Sequence, residues 1–193
     1  MADPVKVLAF AGSARKESLN RRLLAIAVTA TRQAGGEVTA VELAGFAMPL
    51  YNGDDHAAHG FPEGVMRLKR LFLDHHALLI ASPEHNSALS ALLKNAIDWV
   101  SRSAPGEKSL EAFRGKTAAL LSASPGALGG LRGLASLRSI LTNIGTLVLP
   151  DQVAVPKADT VLRPDGSIPD EAIRARIASL AAALVTTTAK LRA

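Results

Sequence analysis

The chain has no cysteine, and its 193 residues include only one tryptophan and one tyrosine. The absence of cysteine excludes disulfides, a thiol nucleophile and thiolate metal sites. So few large aromatic residues leave little for nucleobases to stack on. Lysine and arginine give a net charge of +5 but are spread along the chain, so they do not form the basic surface of a nucleic-acid-binding protein.

Long apolar runs, low-complexity linkers and internal repeats are also missing. No run approaches the length needed to span a bilayer, and the first residues lack the basic-then-apolar pattern of a signal peptide. We therefore expect a soluble cytoplasmic protein that binds neither membranes nor nucleic acid, with residues 1–193 forming a single domain. The mild basicity fits an anionic small ligand or a phosphorylated cofactor.

Apolar segments alternate with helical patterns along the chain. Nearly continuous runs of Val, Leu, Ile and Ala, typical of strands buried on both faces of a parallel sheet, cover Val5–Ala11, Glu37–Leu43, Ala77–Ser82, Lys116–Ala123 and Thr146–Leu149. Helices are predicted over Leu19–Gln33, Glu63–His75, Leu89–Ser101, Leu131–Ile144 and Asp170–Leu191. This alternation predicts an α/β fold of the flavodoxin-like type, a three-layer, doubly wound, five-stranded parallel sheet with strand order 2-1-3-4-5.

Three polar loops follow the first, third and fourth predicted strands. In a doubly wound sheet, ligands bind beyond the carboxyl ends of the strands, near the point where the strand order reverses. The predicted site is therefore formed by Gly12–Asn20, Pro83–Ala88 and Ser124–Gly130. The long segment Ala44–Pro62 is interpreted as a loop that flanks this site or contacts another subunit.

The first loop has the composition of a phosphate-binding loop. It connects a strand to a helix, so backbone N–H groups and the positive end of the helix dipole converge there. The hydroxyls of Ser13 and Ser18, the guanidinium of Arg15 and the amide of Asn20 could complete the shell. The loop has neither the three glycines of the dinucleotide fingerprint nor a Walker sequence. Alternatively, Ser18 only caps the helix and Arg15 is only solvated.

The other two loops offer groups for a flat heterocycle. Asn86 has both a donor and an acceptor, and His85 could lie against a ring or face a substrate. A single histidine in a loop is, however, often just a surface residue. The glycines of the third loop are typical of close backbone approach to a ligand, although they are also typical of an ordinary turn before a helix.

Taken together, these motifs resemble the NADPH-dependent FMN reductase family, which includes flavin, quinone, azo and chromate reductases. The family pattern Gly-Ser-x-Arg-x-x-Ser-x-Asn is intact at 12–20, and Leu-Lys-Asn-Ala-Ile-Asp-Trp is intact at 93–99. Between them, Pro-Glu-His-Asn at 83–86 has His85 where the family usually has tyrosine. This substitution introduces a group that titrates near neutrality, so we expect it to affect substrate preference and pH dependence more than cofactor choice.

The resemblance implies a site for FMN. Its phosphate would be held by Ser13, Arg15, Ser18, Leu19 and Asn20. The isoalloxazine and ribityl groups would be bordered by Pro83, Glu84, His85, Asn86 and Ser87, with Ser124, Pro125 and Gly126 on the other side. Lys94, Asp98 and Trp99 would then be structural and interface residues of a homodimer or homotetramer.

The implied activity is NAD(P)H oxidoreduction. Hydride would pass from NADPH or NADH through bound FMN to a small acceptor by a ping-pong mechanism, the acceptor being a flavin, quinone, azo compound, chromate or ferric chelate. FMN carries this chemistry, so no catalytic side chain or metal ligand is assigned, and His85 is only a candidate beside the flavin. Candidate readers of an NADPH 2′-phosphate are Arg21, Arg22, Arg102 and Arg132. The alternative is a flavodoxin-like one-electron carrier that docks a protein partner, although such carriers are typically acidic.

Overall fold

Five strands form one parallel sheet in the computed structural model, which describes residues 3–163 and 165–193. They are β1 (Lys6–Ala11), β2 (Glu37–Glu42), β3 (Ala77–Ala81), β6 (Thr117–Ala123) and β7 (Leu147–Val155), and a separate two-stranded hairpin comprises β4 (Glu84–His85) and β5 (Ala88–Leu89). The sheet order is β2-β1-β3-β6-β7, so the predicted order is confirmed. Every residue of β3 and β6 is buried, as their continuous apolar character predicts.

Helices cover both faces of the sheet. They are α1 (Leu19–Gln33), α2 (Gly53–His59), α3 (Glu63–Asp74), α4 (Ala91–Val100), α5 (Leu131–Asn143), α6 (Ala158–Val161) and α7 (Glu171–Leu191), with a 3₁₀ turn at Leu43–Phe46. Side chains of α1 and α7 pack in one apolar core, and those of α3, α4 and α5 pack in a second core on the opposite face. None of the helices in the described ranges is long and apolar enough to cross a membrane.

The last strand extends further than the sequence predicts. The predicted strand ends at Leu149, but β7 continues to Val155 with an irregular register against β6. The strand lies at the sheet edge, where the missing N–H of Pro150 is tolerated at a bulge. Arg138 of α5 stabilises the bulge by donating to the carbonyl oxygens of Leu149 (2.7 Å) and Pro150 (3.2 Å).

The segment predicted as a loop at 44–62 contains α2 and all but the first residue of the 3₁₀ turn, and α4 holds it in place. The carbonyl oxygen of Pro49 accepts hydrogen bonds from Asn95 Nδ2 (2.9 Å) and Trp99 Nε1 (2.7 Å), while Tyr51 N donates to Asn95 Oδ1 (2.8 Å). The Leu-Lys-Asn-Ala-Ile-Asp-Trp motif therefore has a structural task within one chain: two of its side chains hold the segment against α4.

A buried ion pair fixes the C-terminus of α4. Lys69 of α3 is only 2% exposed, and its ammonium lies 2.8 Å from the Glu107 carboxylate. It also donates to the carbonyl oxygens of Val100 and Arg102, so it satisfies acceptors at the C-terminus of α4. Burial raises the pKa of Glu107, but the hydrogen bonds from Lys69 and the Ala104 N–H outweigh it and hold the pKa below its usual value. The sequence pattern gives no sign of this pair, because its partners lie in different elements.

Candidate functional site

The loops that follow β1, β3 and β6 meet at the carboxyl edge of the sheet and enclose a cleft of about 170 Å³. The cleft is lined by Ser13, Arg15, Ser18, Leu19, Asn20, Pro83, Glu84, His85, Ala123, Ser124 and Pro125. All but Ala123 are predicted site residues. Of the remaining predictions, Asn86, Ser87 and Gly126 do not line the cleft, since two of them lie at a hairpin tip and one further along the third loop.

The first loop ends at the N-terminus of α1. Ser18 is the N-cap, and its hydroxyl oxygen accepts a hydrogen bond from Arg21 N at 3.3 Å. The N–H groups of Leu19 and Asn20, in the first turn, have no acceptor in the part of the chain that the structure describes. Ser18 thus caps the helix and also lines the cleft. Free amides, hydroxyls and the exposed Arg15 form a donor set that suits a phosphate.

Asn20 joins the first loop to the third. Its side chain is buried and pairs with the backbone of Ala123 at the end of β6: Nδ2 donates to the carbonyl oxygen at 2.9 Å, and Oδ1 accepts from the N–H at 3.0 Å. One amide N–H remains for a ligand. The residue therefore fixes the spacing between two walls of the cleft, a role that the sequence pattern did not predict.

The second loop is a tight hairpin. Asn86 (φ 50°) and Ser87 (φ 66°) are both left-handed, which is the backbone conformation of a two-residue type I′ turn between β4 and β5. Their side chains are exposed at the tip, beyond the cleft. His85 precedes the turn and is an exposed residue on the cleft wall.

Glu84 links the hairpin to α5. Its carboxylate already has hydrogen-bond partners within the chain, so it is not a free acceptor for a ligand. The side chain is 9% exposed and accepts hydrogen bonds from Arg132 Nε (2.8 Å) and Gly133 N (3.1 Å). It therefore acts as a long-range cap for α5, whose own N-cap residue, Gly130, has no side chain. Burial raises the pKa of Glu84, but the hydrogen bonds from Gly133 and Arg132 together hold it below the usual value.

The comparisons with known proteins agree with this geometry. The family model described as NADPH-dependent FMN reductase matches residues 5–160. The chain belongs to this family. It is 35% identical to an NAD(P)H-dependent FMN reductase of Pseudomonas aeruginosa over the full length of both chains, and 37% identical to a quinone reductase of Pseudomonas putida, covering 73% of this chain and 72% of that one.

A solved structure extends the likeness to three dimensions. The flavoenzyme NAD(P)H:(acceptor) oxidoreductase of Paracoccus denitrificans superposes with a TM-score of 0.81 at 30% identity, covering 96% of this reductase and 98% of that chain. The protein is thus an oxidoreductase with a flavodoxin-like fold, and FMN and NAD(P)H are its expected cofactor and co-substrate. The donors at the N-terminus of α1 fit the FMN phosphate chemically.

The third loop of the reductase is held against the end of β7. Ser124 N donates to the carbonyl oxygen of Val155, the last residue of β7 (3.2 Å), and Ser124 O accepts from Ala158 N at the start of α6 (3.0 Å). Gly129 and Gly130 have left-handed φ values of 61° and 88°, and a Cβ on either would overlap existing atoms. The backbone that leads into α5 therefore requires glycine at these two positions, which agrees with the interpretation of the loop as an ordinary turn before a helix.

We expect Glu84→Gln to reduce the loss of stability at acidic pH. The folded pKa of Glu84 is lowered, so its contribution is present above the unfolded pKa and is lost as the pH falls through the folded pKa. Urea unfolding of the reductase at about pH 7 and about pH 4 measures this loss. Glu37→Gln, at an exposed carboxylate without an ion pair in the described chain, is the control. An equal loss for the wild type and Glu84→Gln would show that the carboxylate does not stabilise the hairpin.

Proposed function

We propose that the protein binds FMN in the cleft between the three loops and transfers hydride from NAD(P)H to a small acceptor. The observation that carries this proposal is the meeting of the predicted first-loop donors with the second and third loops in one cleft. Bound FMN would supply the hydride chemistry. The residues of the chain then have the tasks of binding the cofactor, orienting it and shielding it from water.

Each wall of the cleft has its own role in this proposal. Ser13, Arg15 and the free amides of α1 bind the phosphate, because charged and backbone donors stabilise a dianion. Asn20 sets the distance from this wall to the third loop. Glu84 holds the hairpin so that Pro83 and His85 border the heterocycle.

We propose that the acceptor is a quinone. In this proposal the quinone and NAD(P)H bind alternately, as in a ping-pong mechanism. Support comes from the relatives, several of which are quinone reductases. Initial rates at several fixed quinone concentrations would give parallel double-reciprocal lines. Rates with azo dye, chromate, ferric chelate and free flavin under the same conditions test the other acceptors.

We also propose a homodimer or a dimer-built homotetramer. The segment held by α4 presents Leu50, which is 83% exposed and large enough to anchor a contact between subunits. Light scattering of the purified protein gives the mass, and Leu50→Asp would shift it toward the monomer if this side chain lies in the interface.

The visible absorption spectrum of the purified protein, recorded without oxygen before and after adding NADPH, tests the main proposal. A flavin spectrum that NADPH bleaches within the time of a turnover is the expected result. A flavin that stays oxidised with NADPH and with NADH would instead identify an electron carrier that needs a protein donor. A colourless protein that does not bind added FMN would contradict the cofactor assignment.

His85→Tyr is expected to flatten the pH profile of kcat/KM near neutrality. His85 lies on the cleft wall, and histidine is the side-chain type that ordinarily changes charge near neutrality, whereas tyrosine does not. The profile is measured between about pH 6 and pH 8 with one quinone for both proteins, with flavin content as the control for occupancy. Superimposable profiles would exclude His85 as the source of pH dependence.

A further inference from the structure

Another cavity lies at the amino edge of the sheet, at the opposite ends of the strands from the cofactor cleft. It has a volume of about 160 Å³ and lies beside the start of β3, the start of β6 and the C-terminal end of α7. A water molecule needs about 10–15 Å³ of such space, so a small polyatomic ligand fits. We call this cavity the amino-edge pocket. Its ionisable lining residues are His75, His76, Arg114, Lys116 and Arg192.

Lys116 lines the pocket as a buried ammonium without a counter-charge. The residue is 7% exposed, and its Nζ donates to the carbonyl oxygen of His75, which leaves two N–H donors without a partner in the described chain. Lys69, which is also buried, lies 2.8 Å from the Glu107 carboxylate, whereas Lys116 has no carboxylate within ion-pair distance in the described ranges. Because a buried charge is costly unless it is paired, this arrangement favours an anion in the pocket.

The other charges around the pocket reinforce this preference. Arg114 and Arg192 are exposed lining residues, and neither forms an ion pair with any residue that the structure describes. Burial lowers the pKa of His76. The positive charges of Arg192, Lys116 and Lys6 lower this pKa further, so several cations act on the same point.

Two carboxylates lie close enough to act on Lys116 without pairing with it. Asp74, at the end of α3, and Glu111, in the loop before β6, both raise the pKa of the Lys116 ammonium. Burial outweighs them and lowers this pKa to about 8. Neither carboxylate lines the pocket, so the described lining presents positive charge to a ligand.

The two histidines of the pocket have different roles. His75 uses both ring nitrogens within the chain, at the carbonyl oxygen of Leu71 (2.6 Å) and the hydroxyl of Thr39 (2.8 Å). His76 Nδ1 accepts a hydrogen bond from Lys6 N at 3.0 Å, so the neutral ring carries its proton on Nε2. This Nε2–H group has no acceptor in the described part of the chain, which makes it a further donor for an anion.

We propose that the amino-edge pocket binds a phosphate group, either as inorganic phosphate or on a small phosphate ester. Lys116 and the Nε2–H group of His76 are its inner donors, and the exposed guanidinium groups of Arg114 and Arg192 complete the shell. A tetrahedral phosphate presents oxygens in several directions, so it can accept from donors on three separate parts of the chain. The pocket shares no lining residue with the cleft, so this site is independent of the FMN site.

Calorimetric titration of the flavin-loaded protein with inorganic phosphate at about pH 7 tests the pocket. We expect Lys116→Met to weaken binding by roughly 10- to 100-fold and to leave the FMN content unchanged. Arg192→Ala, at an exposed position outside any helix or strand, should weaken binding by about 2- to 5-fold. Lys190→Ala is the matched control, since it removes one positive charge from the same end of α7 at a residue that does not line the pocket.

Two further titrations locate the phosphate and identify its source. Arg15→Ala should retain this binding, because Arg15 lines the cleft and not the pocket. Binding that is lost in Arg15→Ala and kept in Lys116→Met would place the phosphate in the cleft and overturn the proposal. Tighter binding of inorganic phosphate than of glycerol 3-phosphate would identify the free ion as the ligand, and the reverse order would identify a phosphate ester.

The pH dependence of sulfate binding gives an independent measurement. Sulfate keeps its charge between about pH 7 and pH 9, whereas Lys116 loses its proton as the pH rises through about 8. The charged ammonium binds the anion better, so the affinity of the wild type should fall over this range, and Lys116→Met should show no such fall. Equal affinities of the wild type and Lys116→Met for phosphate and sulfate at about pH 7 would overturn the proposal. If Lys116→Met does not fold, an unchanged affinity in Arg192→Ala would do so.

Discussion

Arg15→Ala is expected to weaken FMN binding by roughly 10- to 100-fold while leaving riboflavin binding unchanged. Arg15 lines the cleft at the N-terminus of α1, its side chain is exposed, and it makes no ion pair in the described chain. A charge-assisted hydrogen bond contributes about 1.5–3 kcal/mol, which corresponds to this range of affinities. Riboflavin lacks the phosphate, so the comparison isolates the contact at that group.

Flavin fluorescence titration of the apoprotein measures both affinities. Lys16→Ala is the matched control, since it removes one positive charge from the same loop at a residue that does not line the cleft. Arg15→Lys should recover only part of the affinity, because an ammonium does not form the two parallel hydrogen bonds of a guanidinium. Stoichiometric FMN in purified Arg15→Ala would place the phosphate elsewhere.

Local patterns account for the part of the fold that could be predicted. The apolar strands and the capped helix α1 lie within single stretches of sequence, and Ser18 and Gln33 bound α1 as the pattern indicates. The strand order was confirmed because few topologies satisfy strict strand–helix alternation. The hairpin at 84–89 was missed, since its turn is Asn86-Ser87 and lacks the Asn-Gly signal that usually marks a type I′ turn.

The cleft could be located from the sequence, but the partners of its side chains could not. Glu84 was assigned to the flavin, yet its carboxylate caps α5 some 49 residues further along the chain. Asn20 pairs with a backbone 103 residues away. Such contacts depend on which loops the sheet brings together at one edge, and residue spacing does not contain that information.

Gly129→Ala is expected to destabilise the protein by about 3 kcal/mol or more. Gly129 has a φ of 61°, and an added Cβ would lie 2.7 Å from both Pro156 N and the carbonyl carbon of Val155. The left-handed conformation costs an alanine about 1–2 kcal/mol, and the overlap adds a similar amount because backbone atoms at the end of β7 cannot rotate away. Urea unfolding measures the change.

Gly35→Ala separates the two contributions. Gly35 is also left-handed, with a φ of 90°, but nothing lies within 4 Å of the position that its Cβ would occupy. It should therefore show the conformational cost alone, about 1–2 kcal/mol. Equal destabilisation by the two substitutions would show that β7 yields to the added methyl group. If β7 does not yield, the third loop must shift instead, and Gly129→Ala should weaken FMN and riboflavin equally, in contrast to Arg15→Ala.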